Sequence, residues 1–165
     1  MGAGKTTVGR ILARRIGLRF IDSDHELEGR CGVDIPVIFE LEGEAGFRAR
    51  EAQIIDELTR LDGIVLATGG GAVLSEANRR CMMTRGTVIY LNAPPEALER
   101  RVRQDRNRPL LAGGDVLEKL RKLHAERDPL YRAVADLVMD AGAQTPQALA
   151  RDLLARLEET WIRSA

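Results

Sequence analysis

The first residues of the chain combine glycines, a lysine and threonines directly before an amphipathic helical pattern. The run matches the second half of the phosphate-binding pattern G-x-x-x-x-G-K-[ST]. Its members are Gly2, Ala3, Gly4, Lys5, Thr6 and Thr7. Glycines let backbone N–H groups approach phosphate oxygens, a lysine reaches the outer phosphates, and a threonine hydroxyl can bind Mg²⁺. We predict a phosphate site here, and a glycine-rich cap on an ordinary helix is the alternative.

Carboxylates and glycines follow two short apolar runs further along the chain. Asp22 and Asp24 come after the run 18–21, and Gly69–Gly71 come after the run 64–67. Because ligands of open parallel sheets bind beyond the carboxyl ends of the strands, we expect these residues to be neighbours in space. The alternatives are that Asp24 only caps a helix and that the glycines form a plain turn.

Strands and helices alternate along the sequence that must position these residues. We expect strands at 18–21, 64–67, 87–91 and 137–139. We expect helices from the opening glycines to residue 17, as two or three short segments within 25–61, at 75–83, from 94 onward, at 115–134 and at 146–161. This alternation predicts an α/β fold with a parallel sheet covered on both faces.

Length and composition favour one globular domain whose function resides in a local site. The chain has 165 residues, of which 44% are hydrophobic, and its 25 basic residues balance its 25 acidic ones. Such a balance provides no overall field for nucleic acid or an anionic membrane. No run of about 18 apolar residues is present, and the two cysteines lack metal-ligand spacing. We therefore expect a cytoplasmic protein that binds neither nucleic acid nor membranes.

Six short strings, taken in order, resemble bacterial shikimate kinases over nearly the whole chain. They are GAGKTT, DSD, GEAGFRARE, TGGGAV, RPLLAG and DPLYR. The resemblance implies a P-loop NTPase fold with three αβα layers, a parallel sheet of strand order 2-3-1-4-5 and a mobile lid. It also implies a monomer that uses ATP and Mg²⁺ to phosphorylate the 3-hydroxyl of shikimate, a step of aromatic amino acid biosynthesis.

The resemblance also divides the single domain, residues 1–165, into functional segments. It implies a phosphate loop at 1–7, acceptor-binding helices at about 23–61 and a lid at about 104–114. The first glycine of the phosphate pattern would lie two positions before Met1, and the first strand of the family is missing from this chain. We expect Met1 to be an internal methionine of a longer natural protein, which the upstream reading frame would test.

On the nucleotide side, the resemblance assigns roles to individual residues of this sequence. Lys5 resembles the phosphate lysine, Thr6 the hydroxyl that binds Mg²⁺, and Asp22 the aspartate that holds Mg²⁺ through water. Arg108 resembles the lid arginine that reaches over the phosphates. Arg101 resembles an arginine that stacks on adenine.

On the acceptor side, the resemblance gives Asp24 the role of holding the hydroxyls and taking the proton. Arg48 and Arg132 resemble the arginines that grip the carboxylate, and Gly69–Gly71 resemble the turn that lines the pocket. Two arginines suit one carboxylate because each guanidinium offers paired donors. Without the resemblance, solvent exposure would be the usual fate of both arginines. Arginines and Mg²⁺ nearby predict that Asp24 stays ionised and is a weak base.

Two other functions remain open at this point. One is a kinase for another small acceptor, such as gluconate or a nucleoside monophosphate, although aromatic residues form only 4% of the chain and a nucleobase needs a stacking pocket. The other is a catalytically silent, kinase-like sensing domain, against which Lys5, Thr6, Asp22 and Asp24 argue. Ligand binding without ADP release would distinguish the sensing domain from an enzyme.

Overall fold

A computed structural model describes residues 2–102 and 115–164 of the chain. The helices are α1 (Lys5–Ile16), α2 (Ser23–Cys31), α3 (Ile35–Leu58), α4 (Glu76–Arg85), α5 (Pro95–Val102), α6 (Val116–Val134) and α7 (Pro146–Ser164). The strands are β1 (Arg19–Asp22), β2 (Ile64–Ala67), β3 (Ile89–Asn92) and β4 (Leu137–Asp140), and a 3₁₀ turn covers Ala72–Leu74. The predicted lid at about 104–114, with Arg108, lies outside the described residues.

The four strands within these ranges form two parallel pairs. Strand β1 pairs with β2 so that Asp22 lies opposite Ala67, and β3 pairs with β4 so that Asn92 lies opposite Asp140. Each pair is joined by helical connections, as parallel strands require. The register places the last residue of β1 level with the last residue of β2. Asp22 and the glycine turn after Ala67 therefore emerge at the same edge, as the sequence predicts.

A cleft of about 340 Å³ separates the two pairs of strands. Residues 64–66 of β2 border one side, and residues 87–89, which lead into β3, border the other. Leu12 and Ile16 of α1 and Leu157 of α7 also line it.

Several helix boundaries follow directly from residue type. Helix α1 begins after Gly4 and ends at Gly17, and both glycines have left-handed backbone conformations, with φ of 88° and 70°. Ser75 caps α4, since its side chain accepts a hydrogen bond from Asn78 N. Helix α3 loses helical geometry at Gly43, where φ is 69° and ψ is −178°. The region 25–61 therefore contains three helical stretches, in agreement with the sequence.

Two clusters of buried apolar side chains hold the elements together. The larger joins α1, α5, α6 and α7 to β3 and β4, with Leu12, Leu91 and Leu153 among its members. The smaller joins α2 to α3 around Leu27 and Phe47, next to the pair β1 and β2. No helix in the described ranges is both long and apolar enough to cross a membrane.

Candidate active site

The carboxyl end of β1 connects to the phosphate loop through Thr6 and Asp22. The Thr6 hydroxyl donates to Asp22 Oδ2 at 2.7 Å. The other oxygen of Asp22 caps α2 by accepting from Asp24 N at 3.1 Å. Asp22, rather than Asp24, is therefore the capping residue of this helix, which leaves the Asp24 side chain available for another role.

Thr6 and Asp22 have the oxygen donors that suit a Mg²⁺ ion. Mg²⁺ usually takes one or two side-chain oxygens and completes its octahedron with water and substrate phosphates. Within residues 2–102 and 115–164, no group of three or more acidic, histidine or cysteine side chains could hold a metal ion by itself. The adjacent hydroxyl and carboxylate beside the phosphate loop fit this partial coordination.

Asp24 lies in the first turn of α2, in a largely buried position. Burial raises the pKa of Asp24 above its usual value of 3.8, and the negative charge of Asp22 raises it further. The Lys5 ammonium acts in the opposite direction without reversing the change. Burial therefore outweighs the nearby cation in the protein alone, and the weak basicity expected with Mg²⁺ nearby stays a prediction. A raised pKa makes Asp24 a stronger base.

The turn Gly69–Gly71 packs closely against the side chains around it. Gly69 N donates to the buried Ser23 Oγ at 3.2 Å. A Cβ atom on Gly69 would lie 2.8 Å from Asp24 Oδ1 and 2.7 Å from Glu51 Oε1. A Cβ on Gly71 would collide with the Arg48 guanidinium. Glycine is needed at both positions for space, and the turn brings Asp24, Glu51 and Arg48 together.

Arg48 is held on α3 by two acidic neighbours. Its Nη1 donates to Glu51 Oε2 at 2.7 Å, and its Nη2 donates to Glu44 Oε1 at 3.1 Å. The side chain is only 21% exposed, and its guanidinium lies over the Phe47 ring at 5.1 Å from the centroid. The structure therefore places Arg48 in the site, and the alternative of an ordinary solvated arginine does not hold.

The second arginine of the site is Arg127, and Arg132 lies away from it. Arg127 is only 5% exposed and borders a cavity of about 120 Å³ that Lys5 and Gly70 also border. The Arg132 side chain is 50% exposed, and its Nε donates to Asp128 Oδ2 at 2.8 Å. The structure does not bring Arg132 to the glycine turn, because the Arg132 side chain lies on the solvent-exposed side of α6.

Helical phase would have distinguished these two arginines in the sequence. The buried residues of α6 are Leu120, Arg127 and Val134, which are spaced by seven and so share one face. Arg132 follows Arg127 by five residues, which turns it about 140° around the helix axis. The same reasoning applies to Glu51, which sequence analysis missed although it lies on the buried face of α3 with Phe47.

Two buried polar atoms of this region have no hydrogen-bond partner among the described residues. They are Glu51 Oε1 and Arg127 Nε. Glu51 is 2% exposed, and burial raises its pKa despite the lowering effect of Arg48. Buried polar groups are almost always satisfied, so two unsatisfied groups of opposite charge in one site indicate a polar ligand.

Arg101 joins the phosphate loop to the loop after β4. Its guanidinium donates to Ala141 O at 2.7 Å and to Gly2 O at 3.3 Å. Arg101 therefore lies beside the phosphate loop, and its contact with adenine stays a prediction. Arg108 lies outside the described residues.

Comparisons with known proteins agree with this geometry. A family model of shikimate kinases matches residues 1–158. The shikimate kinase of Thiobacillus denitrificans is 60% identical over 158 residues, which cover 96% of this chain and 86% of that protein. The shikimate kinase of Acinetobacter baumannii in complex with shikimate has a TM-score of 0.95 at 48% identity, covering 97% of this chain and 89% of that one. The shikimate kinase of Aquifex aeolicus has a TM-score of 0.84 at 34% identity, with coverages of 97% and 93%. The chain belongs to the shikimate kinase family.

Proposed function

We propose that this chain transfers the γ-phosphoryl group of ATP to the 3-hydroxyl of shikimate, giving shikimate 3-phosphate and ADP. The observation that carries the proposal is the pair of unsatisfied buried atoms, Glu51 Oε1 and Arg127 Nε, next to a glycine turn. Shikimate offers both a carboxylate and hydroxyl groups. An anionic group would satisfy the arginine, and a hydroxyl would satisfy the glutamate.

The acceptor side would bind the two ends of shikimate with different residues. Arg48 and Arg127 supply guanidinium donors for the carboxylate, in place of the pair Arg48 and Arg132 expected from the sequence. Asp24 and Glu51 supply oxygens on the other side of Gly69 for the hydroxyls. This division of charge would orient one hydroxyl toward the phosphate loop, and orientation contributes much of the rate in phosphoryl transfer.

The phosphate side would hold ATP with the opening loop of the chain. The backbone of residues 2–7 and the Lys5 ammonium would bind the phosphates, while Arg101 contacts the adenine and Arg108 the phosphates from the lid. Thr6 directly and Asp22 through water would hold Mg²⁺, which neutralises phosphate charge when bound. Lys5 would stabilise the negative charge that spreads over the transferred oxygens.

Asp24 would accept the proton of the attacking hydroxyl. Its raised pKa, caused mainly by burial and then by the charge of Asp22, increases its basicity. Its position in the first turn of α2, fixed through the cap that Asp22 provides, keeps the carboxylate beside Gly69. Proton transfer late in the reaction suits a loose transition state.

Replacing Asp24 with Asn should lower kcat by about 100-fold and stabilise the free protein at pH 7. An acid with a raised folded pKa binds protons more tightly in the folded chain, so its ionised form destabilises the fold at neutral pH. This destabilisation disappears as the pH falls through the folded pKa toward 3.8. The advantage of Asp24→Asn in free energy of unfolding should therefore shrink on acidification.

Urea unfolding at several pH values checks this prediction, with Asp34→Asn as the matched control. Asp34 is exposed at the start of α3, and its side chain makes no capping hydrogen bond. The control should unfold like the parent chain. An Asp24→Asn variant less stable than the parent at pH 7, or one whose advantage grows in acid, would contradict the burial argument.

Replacing Gly71 with Ala should raise the KM for shikimate by about tenfold with little loss of folding. The φ of Gly71 is −93°, which alanine accepts, but the new Cβ would displace the Arg48 guanidinium. Steady-state kinetics checks this, and Gly29→Ala in α2 is the control because its Cβ would meet nothing within 4 Å. An unchanged KM in Gly71→Ala would show that the position of Arg48 does not matter for binding.

Family membership favours shikimate over gluconate, nucleoside monophosphates and a silent sensing role. Rates of ADP release with MgATP and each of the three acceptors test the choice. We expect release with shikimate and background rates with the others. Faster release with another acceptor, or shikimate binding without release, would contradict the proposal.

The proposal includes a monomer in the cytoplasm that binds neither nucleic acid nor membranes. Equal numbers of basic and acidic residues, 25 each, provide no net charge that would attract nucleic acid or an anionic membrane. Sedimentation of the purified chain tests the monomer.

A further inference from the structure

We propose that Tyr131 is a positioning residue that fixes the glycine turn and Arg127 relative to each other for shikimate binding. The inference rests on the proposed function and adds a residue to it. Tyr131 follows Arg127 by one helical turn on α6, so both side chains lie on the same side of the helix. Its hydroxyl reaches across to the turn after β2, 61 residues earlier in the chain.

The Tyr131 hydroxyl lies between the glycine turn and Arg127. It donates to the Gly70 carbonyl oxygen, and the positive charge of Arg127 lowers the pKa of Tyr131. Burial raises the pKa of Tyr131 despite the opposing effect of Arg127, so the hydroxyl stays protonated and can donate. The Tyr131 hydroxyl thereby connects the helix that carries Arg127 to the turn that lines the acceptor site.

The bond to Gly70 also determines the direction of a backbone N–H group. The Gly70 carbonyl and the Gly71 N–H belong to one planar trans peptide, in which they point in opposite directions. Within residues 2–102 and 115–164, the Gly71 N–H donates to no acceptor. By donating to the Gly70 carbonyl oxygen, Tyr131 keeps the Gly71 N–H pointing away from α6. The backbone of glycine rotates more freely than that of other residues, so a hydrogen bond from another element restricts the orientation of this peptide more strongly.

A neighbouring tyrosine, Tyr90, makes it possible to distinguish the hydrogen bond of Tyr131 from the packing of its ring. The Tyr90 ring stacks on Tyr131, with centroids 4.8 Å apart and planes 28° from parallel. The Tyr90 hydroxyl donates to Asp128 Oδ1 at 2.9 Å and lies 3.1 Å from Asn92 Oδ1, away from the turn. Both tyrosines therefore contribute a ring to the same stack, and only Tyr131 contributes a hydroxyl to the glycine turn.

The test compares Tyr131→Phe with Tyr90→Phe, since each variant loses one hydroxyl and keeps its ring. We expect Tyr131→Phe to raise the KM for shikimate by about tenfold, while kcat and the KM for ATP stay within about twofold of the parent. Tyr90→Phe should leave all three constants within about twofold. Equal effects in both variants, or an unchanged KM for shikimate in Tyr131→Phe, would overturn the inference.

Hydrogen exchange of the free protein tests the positioning independently of catalysis. Without any ligand, Tyr131→Phe should exchange the hydrogen-bonded amides of the turn, Gly69 and Ala72, faster than the parent chain, and Tyr90→Phe should not. If the parent chain releases no ADP with shikimate but the exchange changes as expected, the proposed function fails and the positioning role stands. Unchanged exchange in Tyr131→Phe overturns the positioning role whatever the activity.

Discussion

Replacing Lys5 with Met should lower kcat by about 100- to 1,000-fold, the largest catalytic effect that we expect from one substitution. Phosphoryl transfer depends on neutralising charge that spreads over the transferred oxygens, and Lys5 is the ammonium group of the phosphate loop. Methionine has a similar length but no charge. Pre-steady-state measurement of ADP formation isolates this effect from product release.

A second readout follows from the effect of the Lys5 charge on Asp24. The Lys5 charge lowers the pKa of Asp24, against the raising effects of burial and Asp22. Removing the charge should move the acid limb of the pH–rate profile to higher pH, because Asp24 then binds its proton more tightly. Lys122→Met, on the exposed side of α6, is the control and should change neither kcat nor the acid limb of the pH–rate profile. A kcat in Lys5→Met within tenfold of the parent would contradict the assigned role.

Replacing Arg127 with Ala should raise the KM for shikimate by about 100-fold, with a smaller effect on kcat. Loss of one partner from a buried, hydrogen-bonded charge pair costs about 2–5 kcal/mol, and each 1.4 kcal/mol is a factor of ten. A group that binds the carboxylate equally in the ground and transition states acts mainly on KM. Steady-state kinetics with saturating ATP measures the change.

Two further variants test whether the position and the paired donors of Arg127 are what shikimate binding requires. Arg132→Ala should leave the KM within about threefold, because its guanidinium is bound to Asp128 at the surface. Arg127→Lys keeps the charge but loses the paired donors, so its KM should rise by about tenfold. If Arg132→Ala raised the KM and Arg127→Ala did not, the sequence-based choice of Arg132 would be right and the geometric one wrong.

The strand ends and the phosphate loop could be predicted from the sequence because each depends on local patterns. Short apolar runs predict β1 and β2. Because parallel strands end at one edge of a sheet, the sequence also predicts that Asp22 and Gly69 lie close together, and the pairing of β1 with β2 agrees. Gly17 and Ser75 mark helix boundaries through backbone conformation and capping, which are properties of single residues. These features needed no information about packing between distant elements.

The buried charges could not be predicted in the same way, because burial depends on which helix face meets the sheet. Glu51 was missed and Arg132 was preferred to Arg127, although helical phase distinguishes the latter pair. The burial that raises the pKa of Asp24 depends on how α2 and the glycine turn pack together, which no single segment of the sequence shows. The contact of Tyr131 with Gly70 spans 61 residues, and no local pattern indicates it.

The most direct test of the central claim is phosphorus NMR of the purified chain with MgATP and shikimate. We predict that the γ-phosphate resonance of ATP decays while one phosphomonoester appears, coupled to the proton on carbon 3 of shikimate. The Lys5→Met variant should show the same product at a much lower rate. A spectrum in which ATP persists, or in which only inorganic phosphate accumulates, would contradict the assignment of this chain as a shikimate kinase.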